Sequence, residues 1–591
     1  MVLERLDRAL ATQAWLAMNP ATQVQCIRSN VSDHYPIIVK PEGIVGRQGK
    51  LFRFEHMWLI ESGCGDTVRE AWMTHMPYSS SQIVLEKIKL CEEKLMEWSK
   101  RSFGSVKKQI EEKSKLLERV EFAAAQGADL EAVRILRVEI NELLEKESLM
   151  WQQRARALHL KSGDNNTRFF HNKASQRFRH NRIVGLLDES NSWCMDRSQV
   201  EDIVYGFYSS LFTSSRPAGA HAVLEVIQPL ITEDMNNGLT KEFTRHEVDI
   251  ALKEMAPLKA PGPDGMPPLF FQSFWHLIGD DVSKVVLDCL NSCYIPEEFN
   301  FTYVTLIPKV KNPEKISEFR LISLCNVIYK LISKVLANRL KPLLPLIVSE
   351  NQSAFQAGRV ITDNILMAFE TLHYMKNHQS GNTSFMALKL DMSKAYDRVE
   401  WSFMKGLLEK MGFHRKWVDL MMECITTVTY SILINGEPSH IIHPSRELRQ
   451  GDPLSPYLFL LCTEGLHGLL AKAVASGEIR GISICRGGPR LTHLFFADDS
   501  LLFCRASVQE CMHIQDLLST YEDASGQKLN RDKTTLFFSK NTDRGIHDSI
   551  IDLFGVPEVK QYEKYLGLPS FVGRNKKTSL AFIKDRIWKK L

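Results

Sequence analysis

Ten consecutive residues, LFFADDSLLF (494–503), constrain the fold more than any other part of the chain. Two short apolar runs flank a pair of acids, which reads as a β-hairpin with Asp498 and Asp499 at its tip. Asp is common in turns because its side chain bonds nearby backbone, so turn chemistry alone is one explanation of the pair. The other is chemical. Two like charges beside so apolar a base repel each other, and a divalent cation relieves that repulsion.

A second acid stands in a matching setting. FMALKL (385–390) is strand-like and ends at Asp391, after which SKAYD (393–397) opens a helix running toward Trp401 and Leu408. An Asp at the carboxyl end of a buried strand beside a helix start is a favoured place for chemistry, although an N-cap explains it too. Between the two acidic motifs lies LRQGDPLSP (448–456), followed by an apolar helix. Gly451 permits close approach of backbone to a ligand, and Pro453 and Pro456 stiffen the helix entrance. Such a loop suits the floor of a nucleotide pocket; a plain turn is the alternative.

The rest of the chain sets these motifs in a large protein. At 591 residues, 44% hydrophobic and 24% charged, it has enough apolar material for roughly two to four folded domains. A formal net charge of +4 does not by itself indicate a nucleic-acid partner, so clustering must decide. The twelve cysteines form no CxxC pair and read as reduced core thiols. No apolar run approaches the ~20 residues that span a bilayer, and the amino end lacks a secretory signal, so no membrane partner is expected.

Apolar residues recur at helical spacing from Ser81 to Met150, with Gly127-Ala128-Asp129 interrupting the run, which suggests a helical hairpin. The segment 151–182 then interleaves Arg154, Arg156, Lys161, Arg168, Lys173, Arg177, Arg179 and Arg182 with Phe169, Phe170 and Phe178. Cations attract phosphates and exposed rings stack on bases; an amphipathic helix with buried phenylalanines is the plainer reading. After about residue 235, strand-like and helix-like segments alternate for more than 300 residues.

Strand-Asp, then a Gln-Gly-Asp-Pro loop and helix, then an Asp-Asp hairpin is the order of a polymerase palm. The chain resembles the reverse transcriptase of plant non-LTR (LINE-type) retrotransposons, as part of an ORF2-type polyprotein. The resemblance is carried by LKAPGPDGMP (258–267), VTLIPKVKNPEKISEFRLISLCNVIYKLISKVLANRL (304–340), SENQSAFQAGRVITDNIL (349–366), LKLDMSKAYDRVEW (388–401), LRQGDPLSP, LFFADDSLLF, SGQKLNRDKT (525–534) and KYLGLP (564–569).

It implies an α+β chain with right-hand polymerase fingers and palm, an upstream helical connector and a truncated α/β endonuclease tail. The implied divisions are 1–60 for the remnant of an apurinic-type endonuclease/exonuclease/phosphatase domain and 61–234 for the connector. Fingers follow at 235–384, palm at 385–570 (the whole reverse transcriptase domain at about 290–570), and the start of a truncated thumb at 571–591. The palm sheet is expected to carry helices on one face.

The resemblance also assigns roles. Asp391, Asp498 and Asp499 are the catalytic acids and bind two Mg²⁺ ions, with Mn²⁺ as a substitute. Tyr396 lies beneath the sugar and disfavours a 2′-hydroxyl, Gln450 and Gly451 line the incoming nucleotide, and Lys309 and Arg320 hold its triphosphate. Lys533 is a candidate proton donor to pyrophosphate. The partners are an RNA template, a DNA primer and deoxynucleotide triphosphates, and the compartment is the nucleus. Asp33 and His34 belong to the endonuclease remnant, from which no strand cleavage is expected. Leu321 departs from the family pattern, which usually has proline there, and is expected to disturb the turn presenting Arg320. The reading is thus an RNA-directed DNA polymerase; the rival is a silent, truncated relic that at most binds nucleic acid.

Overall fold

The computed structural model describes residues 51–75, 80–127, 130–155 and 167–559 apart from 218, 380 and 486. It also describes the short pieces 9–12, 15, 22–26, 37–40 and 565–567, and parts of 581–588. Asp33, His34, Arg156, Lys161, the side chain of Arg168 and nearly all of 571–591 lie outside the described residues.

Near the amino end, β1 (Gln23–Cys26) and β2 (Ile37–Lys40) pair antiparallel. The helices α1 (Ser62–Trp72), α2 (Ser80–Ser102), α3 (Val106–Ala125), α4 (Glu131–Ala155), α5 (Thr167–Asn181) and α6 (Arg197–Phe212) follow. The expected helical hairpin is in fact three helices, because the chain also breaks at 103–105. There Gly104 takes φ +51°, a left-handed value that favours glycine, and the Ser105 hydroxyl caps α3 by accepting from Lys108 N. Residues 51–60 pack with this region: Phe54, Met57 and Trp58 are buried in one core with Val68, Trp72, Phe270 and Phe274.

From residue 301 the strands run β3 (Phe301–Pro308), β4 (Phe319–Cys325), β5 (Phe385–Leu390), β6 (Thr429–Ile434), β7 (Glu437–Ile442), β8 (His493–Phe496), β9 (Asp499–Arg505) and β10 (Thr535–Phe538). They form two four-stranded sheets. The first has the order β4-β3-β6-β7, with β3 and β6 parallel and the other pairs antiparallel. Its Val304, Leu306, Phe319, Leu321, Tyr430 and Ile432 bury against Val200, Val204, Tyr208 and Phe212 of α6.

Leu321 does not disturb this sheet. It pairs with Leu306 inside β4 and is 4% exposed, while strand alternation turns its neighbour Arg320 outward on the other face. A leucine supplies apolar area and a ladder N–H here, both of which a proline would alter.

The second sheet, β8-β9-β5-β10, is antiparallel throughout. One face (Met386, Leu388, Leu390, Leu502, Cys504) joins the main core, which contains α10 (Trp401–Lys410), α12 (Ser455–Ala475) and α13 (Val508–Ser525). The other face (Phe385, Ala387, Leu501, Phe503, Phe537) buries against Ala368, Leu372 and Met375 of the helix Ile361–Asn377. Helices therefore cover both faces, because the strands are apolar on both sides, and the expectation of cover on one face does not hold. α12 is also long and apolar enough to cross a bilayer, contrary to the reading of its sequence; here it is a core helix, with two thirds of that apolar stretch (67%) buried.

Candidate active site

The strand register brings the acids together. In the antiparallel pairing of β9 with β5, Ser500 stands opposite Leu390, so the next step sets position 499 opposite Asp391. Phe496 pairs with Asp499, leaving Ala497 and Asp498 as the two-residue turn. Asp498 is therefore at the tip, beside the pair 391/499.

Buried polar groups hold this turn. Ala497 adopts φ +54°, an unfavourable value for a residue with a Cβ, and its N–H donates to Gln352 Oε1 at 3.0 Å. Gln352 is fully buried; the same oxygen accepts from Ala354 N at 3.1 Å, and its amide donates to Thr463 Oγ1 at 3.3 Å. Asn351 and Ser353 bond the backbone of Phe495, so the segment 351–353 lines the edge of β8. Asp391 has its own support: Asn530 donates to its backbone oxygen (2.8 Å) and to Oδ2 (3.1 Å). Gln352 and Asn530 lie in quoted motifs, yet periodicity gives no signal for either, because their role depends on contacts far away in sequence.

Electrostatics record the crowding. Burial raises the pKa of Asp498; the nearby Asp391 raises it further and Arg320 opposes the shift. Burial also raises Asp499, with repulsion from Asp498 and Asp391 adding and Lys389 opposing. Among the described residues, no three His, Cys, Asp or Glu donors already surround a common point. The donors that neighbour one another here are hard carboxylate oxygens, whose mutual repulsion Arg320 and Lys389 oppose, and that is the donor chemistry Mg²⁺ or Mn²⁺ accepts.

The other expected site residues are gathered around this tip, with some differences. Tyr396 stacks on Phe459 of α12 (centroids 4.6 Å, planes 13° apart), and burial followed by the Asp498 charge raises its phenol pKa. Arg320 acts electrostatically on both Asp498 and Lys309. Lys533 Nζ is 4.0 Å from Asp391 Oδ2, an exposed and loose pair. Gly451 takes φ +112°, and a Cβ there would come within 3.3 Å of Ser323 O. Gln450 is not free to face a ligand with its amide: Nε2 donates to Asp397 Oδ1 at 2.9 Å, while its backbone oxygen accepts from Ser323 N.

The loop after β7 is anchored by Arg449, 1% exposed, which donates to Asn300 Oδ1 and Cys424 O and lies 3.9 Å from the Tyr329 ring.

The basic segment is more mixed. Arg154 pairs with Glu55 at 2.8 Å and lies over Trp151. On α5, Phe170 is buried, Lys173 lies over Phe169 at 5.5 Å, and Phe178 is 63% exposed. Arg177, Arg179 and Arg182 are half-buried. The structure thus supports neither a uniform basic face nor a fully buried aromatic stripe.

Residues 307–570 match the reverse transcriptase (RNA-dependent DNA polymerase) family. Over 401 residues the chain is 28% identical to an uncharacterized 149 kDa protein of transposon TX1 from Xenopus laevis, covering 66% of this chain and 30% of the relative. Over 339 residues it is 26% identical to the retrovirus-related Pol polyprotein of a type-2 R2 retrotransposable element from Drosophila melanogaster, covering 56% and 29%. A 68-residue stretch is 56% identical to an uncharacterized mitochondrial protein of Arabidopsis thaliana, covering 12% of this chain and 56% of the relative. The chain therefore spans less than a third of the length of either transposon protein.

Proposed function

We propose that this chain is an RNA-directed DNA polymerase that adds deoxynucleotides to a DNA 3′-hydroxyl, a reading supported by the match of residues 307–570 to the reverse transcriptase family and by the likeness to transposon proteins. The observation that carries the reading is the register that sets Asp391 opposite position 499, with Asp498 at the adjoining tip. Asp391, Asp498 and Asp499 would hold the divalent cations, Mg²⁺ by preference. Such ions activate the primer hydroxyl and stabilise the triphosphate and leaving pyrophosphate when bound.

The chain's own residues supply position and charge, which is most of what phosphoryl transfer asks of a protein. The Tyr396 ring, fixed by Phe459, offers a rigid surface beneath the sugar and disfavours a 2′-hydroxyl. Gly451 brings backbone to the nucleotide. Arg320 faces the acids from the outer face of β4 and, with Lys309, suits the triphosphate; Arg also offers bidentate geometry. Lys533 is placed beside Asp391 to protonate pyrophosphate. In this frame β3 and β4 of the first sheet belong to fingers, β6, β7 and the second sheet belong to palm, and a nuclear location follows from a chromosomal primer.

The test is primer extension on an RNA template with a DNA primer, deoxynucleotide triphosphates and Mg²⁺. The native chain should extend the primer, and Asp498→Ala should reduce the rate by at least about 10³-fold. Equal incorporation by both, or none by the native chain, would reject catalysis at this site.

A further inference from the structure

Behind the nucleotide pocket two lysines lie around a buried carboxylate, Asp397, that none of the roles above explains. Asp397 follows Tyr396 and is 2% exposed. Its Oδ1 accepts from Gln450 Nε2 at 2.9 Å, and its Oδ2 is buried with no protein hydrogen-bond partner. Two ammonium groups face it. Lys394, three residues earlier, holds φ +55°, donates to Phe319 O at 3.1 Å and lies 5.7 Å from the centres of both the Phe207 and Tyr208 rings. Lys309, just after β3, is exposed and donates to Ser317 O at 3.2 Å.

The two lysines therefore grip the backbone immediately before Arg320, one at residue 317 and the other at residue 319. Two neighbouring ammoniums repel, and a half-buried cation such as Lys394 is costly without a counter-charge. The Asp397 carboxylate acts on both and opposes that cost. Burial dominates the electrostatics: it raises Asp397 and lowers Lys394 to about 8, and each group opposes the other's shift.

We propose that Asp397 is a positioning residue for nucleotide addition: its buried carboxylate clamps the Gln450 carboxamide at the pocket floor and neutralises Lys394 and Lys309 where they hold the strand presenting Arg320. The inference rests on the polymerase reading of the pocket. One side chain thus ties the loop at 450–452, the turn bearing Tyr396 and the β3–β4 hairpin into a single arrangement. Asp397 touches no nucleotide itself; it sets the residues that do.

The experiment uses the full chain with two readouts, displacement of fluorescent mant-dATP in the presence of Mg²⁺ and steady-state primer extension. Asp397→Asn keeps the shape and an acceptor for Gln450 but removes the charge. It should weaken mant-dATP binding and raise the nucleotide KM by about tenfold, while kcat changes less than about threefold and affinity for the RNA–DNA hybrid is unchanged. Adding Lys394→Met removes one of the uncompensated cations, so the double variant should recover nucleotide affinity relative to Asp397→Asn alone, a non-additivity that general unfolding does not produce. Unchanged KM and mant-dATP affinity in a folded Asp397→Asn protein would overturn the inference and leave the polymerase intact. So would a loss that Lys394→Met deepens. Nucleotide binding that depends on Asp397 in a chain that never extends a primer would sustain the inference and reject the polymerase.

Discussion

The hairpin tip and helix α5 both carry charges that the sequence marks as functional, and the protein treats them in opposite ways. At the tip, Ala497, Asp391 and Gln450 are each fixed by a polar partner, namely buried Gln352, half-buried Asn530 and buried Asp397. On α5, Lys173 rests over Phe169, Phe178 projects into solvent, and Arg177 and Arg179 lie half-buried. The difference separates two kinds of phosphate chemistry. Nucleotide transfer needs groups held to within about 0.5 Å, whereas attraction to a phosphate backbone needs only charge nearby. If that contrast is real, substitutions at the tip should be large and specific, and those on α5 small, graded and salt-dependent.

The sharpest way to break the contrast is at Gln352. Gln352→Leu keeps the volume but leaves the buried Ala497 and Ala354 N–H groups without their acceptor. An unpaired buried donor costs about 1–3 kcal/mol, and the turn it releases already holds a left-handed alanine. We expect kcat for primer extension to fall about 10–100-fold with nucleotide KM nearly unchanged, read by steady-state kinetics. A full-rate Gln352→Leu enzyme would mean that the turn needs no buried clamp.

A smaller effect probes the strain of the acids themselves. Asp498 and Asp499 have folded pKa values raised above their unfolded values, so the folded state binds more protons. By linkage their ionisation costs stability as pH rises through the folded pKa, and that stability returns as pH falls toward the ordinary carboxylate value of about 4. Asp498→Asn should therefore raise the Tm of the Mg²⁺-free protein, on the order of 1 °C, and flatten part of its pH slope. Mg²⁺ should stabilise the native chain more than this variant. A Tm that falls in Asp498→Asn, measured by scanning calorimetry, would show that the acids are satisfied without a cation.

How much of this was legible in the sequence follows the same divide. Short apolar runs that abut acids gave away β5, β8 and β9, because their pattern is local. The break at Gly104-Ser105 was also local but was outweighed by an apolar period running through it. Helical cover on both faces of the second sheet was hidden, since an apolar strand does not say what covers it. Gln352 and Asp397 were out of reach for a deeper reason. A polar residue in a loop resembles any solvated one until the fold brings a partner more than fifty positions away to it. Leu321 shows the converse error: a departure from a family pattern suggested damage, yet strand alternation buries it and still turns Arg320 outward.

The smallest expected effect lies on α5 and tests the other half of the contrast. Here charge acts through released counterions, so the variable is salt. Removing one phosphate-contacting cation should lower the slope of log affinity against log salt by about 1 for duplex and slightly less for single strands. Lys173→Ala and Arg177→Ala should each weaken RNA binding a few-fold at low salt, while kcat on a saturating hybrid stays near the native value. Phe178→Ala should act differently, because a stacked base contributes about 1–3 kcal/mol with little salt dependence. Measured by titration at several salt concentrations, the two lesions separate a charged surface from a stacking one. Unchanged slopes in both cation variants would return α5 to an ordinary amphipathic helix, its Phe170 packed against Ala155 and its charges serving only solubility.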